Sequence, residues 1–238
     1  MFTRPHHQRI AKVLELLDTD LLKRHNCLFA GGTAIALGYG EYRESVDIDF
    51  LVSDLASYRY LRNSVREQGL QALMKSTDAG QLQTSDIRSD QYGIRTRVFV
   101  EGKPIKFEIV LEGRIGLAKP GKKDSILGVA SLTKLDMAAS KLLANSDRGL
   151  DRGVHCRDVI DLAMLNLSMS EFAEATTQSE AAYGEAILKD LAKVIDMLGE
   201  ANGLLERCMK AMDVSVPRAL LWQNISKVKS YIASGIPD

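Results

Sequence analysis

The chain of 238 residues is poor in the residue types that mark specialised protein classes. It has three scattered cysteines, an odd number that argues against a disulfide framework and for a reducing compartment such as the cytoplasm. His155-Cys156 has no second pair at ligand spacing, which excludes an ordinary zinc site. The net charge is zero and only 6% of residues are aromatic, with no stacking cluster, so composition neither implies nor excludes a nucleic-acid partner.

Long apolar segments are also missing. The longest uncharged run, residues 26–40, is too short and too rich in glycine to span a bilayer. No secretory signal is visible at the N-terminus, so we expect a cytoplasmic protein with no membrane partner. A composition of 45% hydrophobic and 26% charged residues suits one large globular domain or two small ones.

The residues that indicate a specific chemistry are concentrated in residues 29–52. Gly31-Gly32-Thr33 leads directly into a helix-forming segment, and a glycine-rich turn at a helix N-terminus attracts phosphate. Asp47 and Asp49 lie in an apolar strand predicted over 46–52, where alternation points both carboxylates to one face. Two adjacent carboxylates repel each other, which indicates a hard cation such as Mg²⁺ between them. Taken singly, the turn could be an ordinary one and the aspartates solvated, but together and in this order they indicate nucleotidyl transfer.

Most of the remaining elements follow from hydrophobic periodicity. A helix is predicted over 9–23, with His6 and His7 solvated before it, and another over 54–74. Two alternating segments, 92–100 and 105–111, joined by a tight polar connection, predict a β-hairpin. After a Pro- and Gly-containing break at 117–123 the pattern is helical to the end. The later predicted helices cover 131–146, a segment from 155, one from 170 with a capping box at Ser168 and Glu171, 184–198, 203–212 and 216–233.

The stretch 29–52 resembles the nucleotidyltransferase superfamily built on the DNA polymerase beta fold. The signature of that superfamily is an apolar residue, Gly-Gly or Gly-Ser, a spacer, and then Asp-x-Asp or Asp-x-Glu. Gly31, Gly32, Asp47 and Asp49 match it, Thr33 stands near the usual Ser, and the spacer is slightly long. The amino-acid sequence of this stretch is most similar to the AbiEii-type branch, whose members are known as toxins of bacterial toxin–antitoxin and phage-defence systems.

The resemblance implies an α+β protein in two domains. The first, residues 1–125, would be a nucleotidyltransferase core with a mixed sheet flanked by helices. The second, residues 126–238, would be a helical domain that contributes nucleotide and acceptor contacts.

The resemblance also implies roles for individual residues. Asp47 and Asp49 would bind metal together with a third carboxylate from a later neighbouring strand, a role that suits Glu108, whose alternative is an ion pair on a solvated strand face. Gly31, Gly32, Thr33 and Ser45 would hold the nucleotide phosphates.

A second group of matches lies in the helical part. AbiEii-type chains carry a Lys, then an Arg, then a basic residue followed by Asp-x-x-Asp-Leu, which Lys141, Arg148, Arg157, Asp158 and Asp161 match in order, although residues 149–156 make a longer link. By the resemblance, Lys141 would bind the nucleotide phosphates, and Asp158 or Asp161 would orient it or the acceptor. The alternative is an ordinary helix pair tied by salt bridges.

The expected reaction moves a nucleoside monophosphate from an NTP to an acceptor hydroxyl, with Mg²⁺ or Mn²⁺ as cofactor. The family suggests an RNA end or a protein side chain as acceptor, and a cognate antitoxin as partner. Two alternatives stay open: a nucleotidyltransferase for small molecules of the antibiotic type, and a non-catalytic nucleotide-binding partner protein. The second is weakened because every expected carboxylate is present.

Overall fold

The computed structural model describes residues 2–75, 82–200 and 203–234. The described part of the chain forms two compact units: Met1–Glu41 with Ser45–Thr133, and Tyr42–Glu44 with Lys134–Asp238. The division into domains 1–125 and 126–238 stays a prediction. None of the described helices is both long and apolar enough to cross a membrane.

The first unit is built on a mixed sheet. Its helices are α1 (Pro5–Leu16), α2 (Thr19–Arg24), α3 (Gly31–Gly38) and α4 (Leu55–Gln68), the last followed by a 3-10 helix (Gly69–Leu73). Its strands are β1 (Leu28–Ala30), β2 (Ile48–Val52), β3 (Gln83–Thr84), β4 (Arg88–Ser89), β5 (Gly93–Val100), β6 (Lys103–Leu111), β7 (Ser125–Ile126) and β8 (Val129–Ala130). The main sheet has the order β1-β2-β6-β5-β3, with β4 also on β5, while β7 and β8 pair separately.

The centre of the sheet separates a buried face from a polar one. β2 runs antiparallel to β1 and parallel to β6. On the buried face Phe50 lies between two other aromatic rings, with centroids 5.5 Å from Phe29 and 5.6 Å from Phe107. Because side chains alternate along a strand, burying this face turns Asp49 and Glu108 to the other.

The second unit is helical. Its helices are α5 (Lys134–Arg148), α6 (Arg157–Met164), α7 (Met169–Tyr183), α8 (Ala186–Glu200), α9 (Leu204–Ala211) and α10 (Arg218–Ala233), with a 3-10 turn at Arg152–Val154. The capping box predicted at Ser168 and Glu171 is confirmed, since each residue bonds the main chain of the other at the start of α7. The predicted fold class, an α+β protein with a mixed sheet flanked by helices and with C-terminal helices, is confirmed.

Two details of the predicted N-terminal region are wrong. The single helix over 9–23 is two helices, because Leu17 is extended and the side chain of Asp18 accepts a bond from the N–H of Leu21, which starts α2. His7 is not solvated but completely buried. Hydrophobic periodicity continued through the break, so it did not reveal the capping residue within it.

Candidate functional site

The predicted phosphate-binding turn is the first turn of α3. Ala30 is the N-cap and supplies no side-chain cap to the N–H groups that begin the helix. Thr33 is fully buried, and its hydroxyl lies 2.8 Å from Ser45 Oγ and 2.5 Å from the main-chain oxygen of Asp47. Thr33 therefore ties the start of α3 to the segment that enters β2.

Gly31 and Asp49 are in direct contact. Gly31 has φ +71°, and a Cβ added to it would collide with Oδ2 of Asp49. Asp49 is the register partner of Ala30, the residue before Gly31. The absence of a side chain at Gly31 thus lets the start of α3 approach the Asp49 carboxylate.

Glu108 lies beside Asp49 on the next strand. The two residues are register partners in the parallel pair β2 and β6, and Arg95 of β5 is the next residue across. Glu108 makes ion pairs with Arg95 Nε at 3.2 Å and with Lys106 Nζ at 2.7 Å. The third carboxylate therefore has the placement expected of it, and it also makes the ion pairs that the alternative interpretation anticipates.

The donor set suits a cation that is shared with a substrate. Within the described residues, the side chain of Asp47 has neither a hydrogen bond nor an ion pair, and it is only partly buried. In the same part of the chain, no group of three or more His, Cys, Asp or Glu side chains is arranged as a ready metal site. Mg²⁺ is commonly held by one or two carboxylates together with substrate phosphates and water. Asp47, Asp49 and Glu108 fit that arrangement rather than a site formed by protein ligands alone.

A groove of about 710 Å³ opens on the polar face of the first unit. Asp47 and Glu108 lie at it together with a basic set, and the basic residues are Arg88, Arg95, Arg97 and Lys106. Acidic and basic side chains thus share one open surface, so the groove offers ligands to a cation and counter-charges to an anion.

Lys141, Asp158 and Asp161 form a buried ionic cluster in the second unit. Lys141 Nζ lies 2.9 Å from Asp158 Oδ1 and 2.7 Å from Asp161 Oδ2. Arg148 donates to both oxygens of Asp158, at 2.8 and 3.0 Å. Arg43 donates to both oxygens of Asp161, at 2.6 and 2.8 Å. With each aspartate held by two basic residues, the carboxylates of the Asp-x-x-Asp motif have fixed orientations.

The cluster controls the ionisation of its members. Burial alone would raise the pKa of Asp158, but the charges of Lys141 and Arg148 hold that pKa well below its usual value. Burial would likewise raise the pKa of Asp161, but the charges of Lys141 and Arg43 outweigh it and lower that pKa. Tyr42 donates to Asp161 Oδ1 at 2.6 Å, and burial followed by the Asp161 charge raises its pKa. At neutral pH both aspartates are ionised and Tyr42 keeps its proton.

The predicted residues therefore form two groups, one in each unit. In the first unit are Gly31, Gly32, Thr33, Ser45, Asp47, Asp49 and Glu108; in the second are Lys141, Asp158 and Asp161. Residues with a part in these groups that the sequence did not reveal are His6, His7, Tyr42 and Arg43. His7 lies 34 residues from Glu41 and 38 from Ser45, and Arg43 lies 118 residues from Asp161, so no local pattern marks these contacts.

Replacing Gly31 with alanine should impair the site more than an equally strained substitution elsewhere. A left-handed φ costs an L-residue about 1–2 kcal/mol. Gly128 has φ +81° with nothing within 4 Å of an added Cβ, so Gly128→Ala carries the same strain without a collision. Thermal melts and NTP-binding titrations of both variants separate the effects. Gly31→Ala should lose both stability and NTP binding, whereas Gly128→Ala should lose stability alone. Equal NTP binding by the two variants would contradict this account of Gly31.

Known sequences and structures resemble this chain in family and in fold. The sequence model of the family described as "Nucleotidyl transferase AbiEii toxin, Type IV TA system" matches residues 15–218. A search of curated proteins gives no match.

Two solved structures share the fold. JHP933 from Helicobacter pylori is 17% identical, with a TM-score of 0.51 over 98% of this chain and 96% of that one. MenT4, a nucleotidyltransferase toxin from Mycobacterium tuberculosis H37Rv, is 14% identical, with a TM-score of 0.52 over 97% of this chain and 85% of that one. At such identities the likeness concerns the fold alone, and the family is given by the sequence match, which spans most of the chain: the protein belongs to the AbiEii nucleotidyltransferase toxin family.

Proposed function

We propose that the protein transfers a nucleoside monophosphate from an NTP to an acceptor hydroxyl, and that this reaction makes it the toxin of a toxin–antitoxin or phage-defence pair. The observation that carries the proposal is the contact between Gly31, at the start of α3, and Asp49, beside Glu108 on the next strand. A phosphate-binding helix start and a pair of neighbouring carboxylates are the two parts that this reaction needs at one place.

The start of α3 would bind the phosphates. The N–H groups of the first helical turn, at Gly31, Gly32 and Thr33, have no partner within their own helix and carry the positive end of its dipole. Ser45, which is hydrogen-bonded to Thr33, would add a hydroxyl to the same phosphates. These groups favour the charge that builds on pyrophosphate as it leaves.

Asp47, Asp49 and Glu108 would hold Mg²⁺ or Mn²⁺. A bound divalent cation activates the attacking hydroxyl and stabilises charge on the leaving oxygen. Asp47 would contribute a carboxylate that has no hydrogen bond or ion pair among the described residues. Glu108 would exchange at least one of its ion pairs with Arg95 and Lys106 for the cation.

The second unit would contribute to nucleotide binding through Lys141, Asp158 and Asp161. This part of the proposal rests on the family motif and on the mutual fixing of the three side chains. Lys141 would offset phosphate charge, and the two aspartates would keep its ammonium group in place.

The acceptor and the protein partner are proposed from the family alone. We propose an RNA end or a protein side chain as acceptor, and a cognate antitoxin as partner, because the matched family is one of type IV toxin–antitoxin systems.

The test incubates the protein with each α-labelled NTP, Mg²⁺ or Mn²⁺, and separate pools of cellular RNA, protein and small molecules. We expect label in one macromolecular pool, lost on chelation and restored by added metal. Label in the small-molecule pool alone would move the acceptor to the antibiotic-type alternative. Absence of label in every pool, with NTP still bound, would support the non-catalytic alternative and contradict the proposal.

A further inference from the structure

Two consecutive histidines of α1 contact the main chain just before Asp47. His7 Nε2 lies 3.1 Å from the main-chain nitrogen of Ser45, and His6 Nε2 lies 2.9 Å from the main-chain oxygen of Val46. A main-chain N–H can only donate and a carbonyl can only accept. His7 Nε2 is therefore an acceptor without a proton, while His6 Nε2 carries one.

The tautomer of His7 is fixed by Glu41. His7 Nδ1 lies 2.8 Å from Glu41 Oε1, and because Nε2 accepts, Nδ1 carries the single proton of a neutral ring and donates it to the carboxylate. Glu41 is in turn held by the main-chain N–H groups of Thr3 at 2.7 Å and of Arg4 at 3.2 Å. The His7 side chain is 0% exposed, so the ring has no water to replace either partner.

The segment from Ser45 to Asp47 is thus held from two sides. One side consists of the His7 and His6 bonds to Ser45 and Val46. The other is the hydroxyl of Thr33, which bonds both Ser45 Oγ and the main-chain oxygen of Asp47. These contacts fix three successive residues, of which two belong to the proposed site.

We propose that His7, supported by His6, is a positioning residue for nucleotidyl transfer, and that it acts through Ser45 and Asp47 as a neutral imidazole. The inference rests on the proposed function. His7 would not touch the nucleotide; its bond to Ser45 sets the path of the chain into Asp47, and hence the position of that carboxylate. A displacement of about 1 Å at a reacting group can cost about 10²-fold in rate.

The neutral ring makes the site sensitive to acid. Burial is the main cause that lowers the pKa of His7 below 6.5; Arg4 and His6 lower it further, and Glu41 opposes them. Glu41 stays ionised, since its hydrogen bonds from Thr3, His7 and Arg4 outweigh its burial and lower its pKa to about 2. Protonation of His7 would put an N–H against the N–H of Ser45 and break that bond. Because the unfolded chain binds this proton more readily, the contribution of His7 to stability is complete above pH 6.5 and is lost as the pH falls below it.

The test compares His7→Ala with His7→Gln. The oxygen and nitrogen of a glutamine amide can accept from Ser45 and donate to Glu41, but the amide does not titrate. We expect His7→Ala to lower kcat about 10- to 100-fold per folded molecule. His7→Gln should restore most of kcat and lose the fall in rate at acid pH. His25→Gln is the control, since the His25 ring stacks on the ring of Tyr60 with centroids 4.2 Å apart. This variant should keep the wild-type rate and the wild-type fall in rate at acid pH.

A measurement without turnover tests the same bond. Hydrogen exchange of the Ser45 amide, followed by NMR, should be slow in wild type and in His7→Gln and fast in His7→Ala. The positioning role would be overturned if the Ser45 amide exchanged equally fast in wild type and both His7 variants. It would also be overturned if both variants kept the wild-type kcat and the wild-type fall in rate at acid pH. If wild type transfers no label at all, the proposed function fails, and the exchange rates still decide whether His7 holds Ser45.

Discussion

Replacement of Asp49 with asparagine is expected to abolish nucleotidyl transfer while the first unit stays folded. Asparagine keeps the shape of the side chain and one oxygen, so contacts with Gly31 and the strand pairing to Glu108 persist. It removes the negative charge that a cation needs, and the loss of one key electrostatic contact at a reacting centre costs about 10²- to 10³-fold in rate. Label transfer from an α-labelled NTP measures the effect.

Thermal melts supply the matching control. Mg²⁺ with NTP should raise the melting temperature of wild type by mass action and that of Asp49→Asn much less, whereas the two proteins should melt alike without ligand. Asp20→Asn, which removes an exposed carboxylate from α2 of the same unit, should behave as wild type in both assays. An Asp49→Asn protein with normal transfer and a normal metal response would make Asp49 a structural residue.

Replacement of Lys141 with methionine should cause a large loss of stability in the second unit. The Lys141 side chain is 4% exposed, and its ammonium group pairs with two carboxylates whose side chains are almost inaccessible. Removing one partner of a buried ionic network costs about 3–5 kcal/mol, because the remaining charges are left uncompensated. Lys134→Met is the matched control on the same helix: Lys134 pairs with Glu171 where both are about one-third exposed, so its loss should cost about 0–1 kcal/mol. Urea unfolding of the two variants and wild type measures the difference.

The pH dependence gives an independent check on the cluster. The pKa values of Asp158 and Asp161 are lowered, so their contribution to stability is complete above the unfolded value of about 3.9 and is lost as the pH falls below it. The free energy of unfolding of Lys141→Met should therefore fall less on acidification than that of wild type. Similar stabilities for Lys141→Met and Lys134→Met would contradict the structural importance of the cluster.

The same variant tests the role in nucleotide binding that the resemblance implies for Lys141. Under conditions where the protein is folded, a raised KM for NTP in Lys141→Met would support direct phosphate binding. An unchanged KM with lowered stability would restrict Lys141 to holding Asp158 and Asp161.

Much of the fold was predictable because local rules and burial act in the same direction. The two-residue turn of the β5–β6 hairpin uses Glu101 and Gly102 with positive φ, at the polar connection that the sequence marks. Strand alternation placed Asp49 and Glu108 on the polar face. The capping box of α7 was readable because both of its members lie within four residues.

The rest depends on contacts between distant residues. The partners of His7 are Glu41 and Ser45, and nothing near residue 7 distinguishes a buried histidine from a solvated one. Arg43 lies on a connection where a surface charge is the ordinary expectation, yet Asp161 binds it across 118 residues. Periodicity reports which face of an element is buried, but it does not report which polar groups meet there.

The central claim is that the contact of Gly31 with Asp49 belongs to a site for nucleotidyl transfer, and the position of the label in the NTP tests it most directly. Wild type is given α-labelled or γ-labelled NTP in parallel, with Mg²⁺ and the cellular pools of RNA and protein. The account predicts that the α-label enters the acceptor, that the γ-label leaves as pyrophosphate, and that Asp49→Asn does neither. Entry of the γ-label into the acceptor, or equal labelling by wild type and Asp49→Asn, would contradict it.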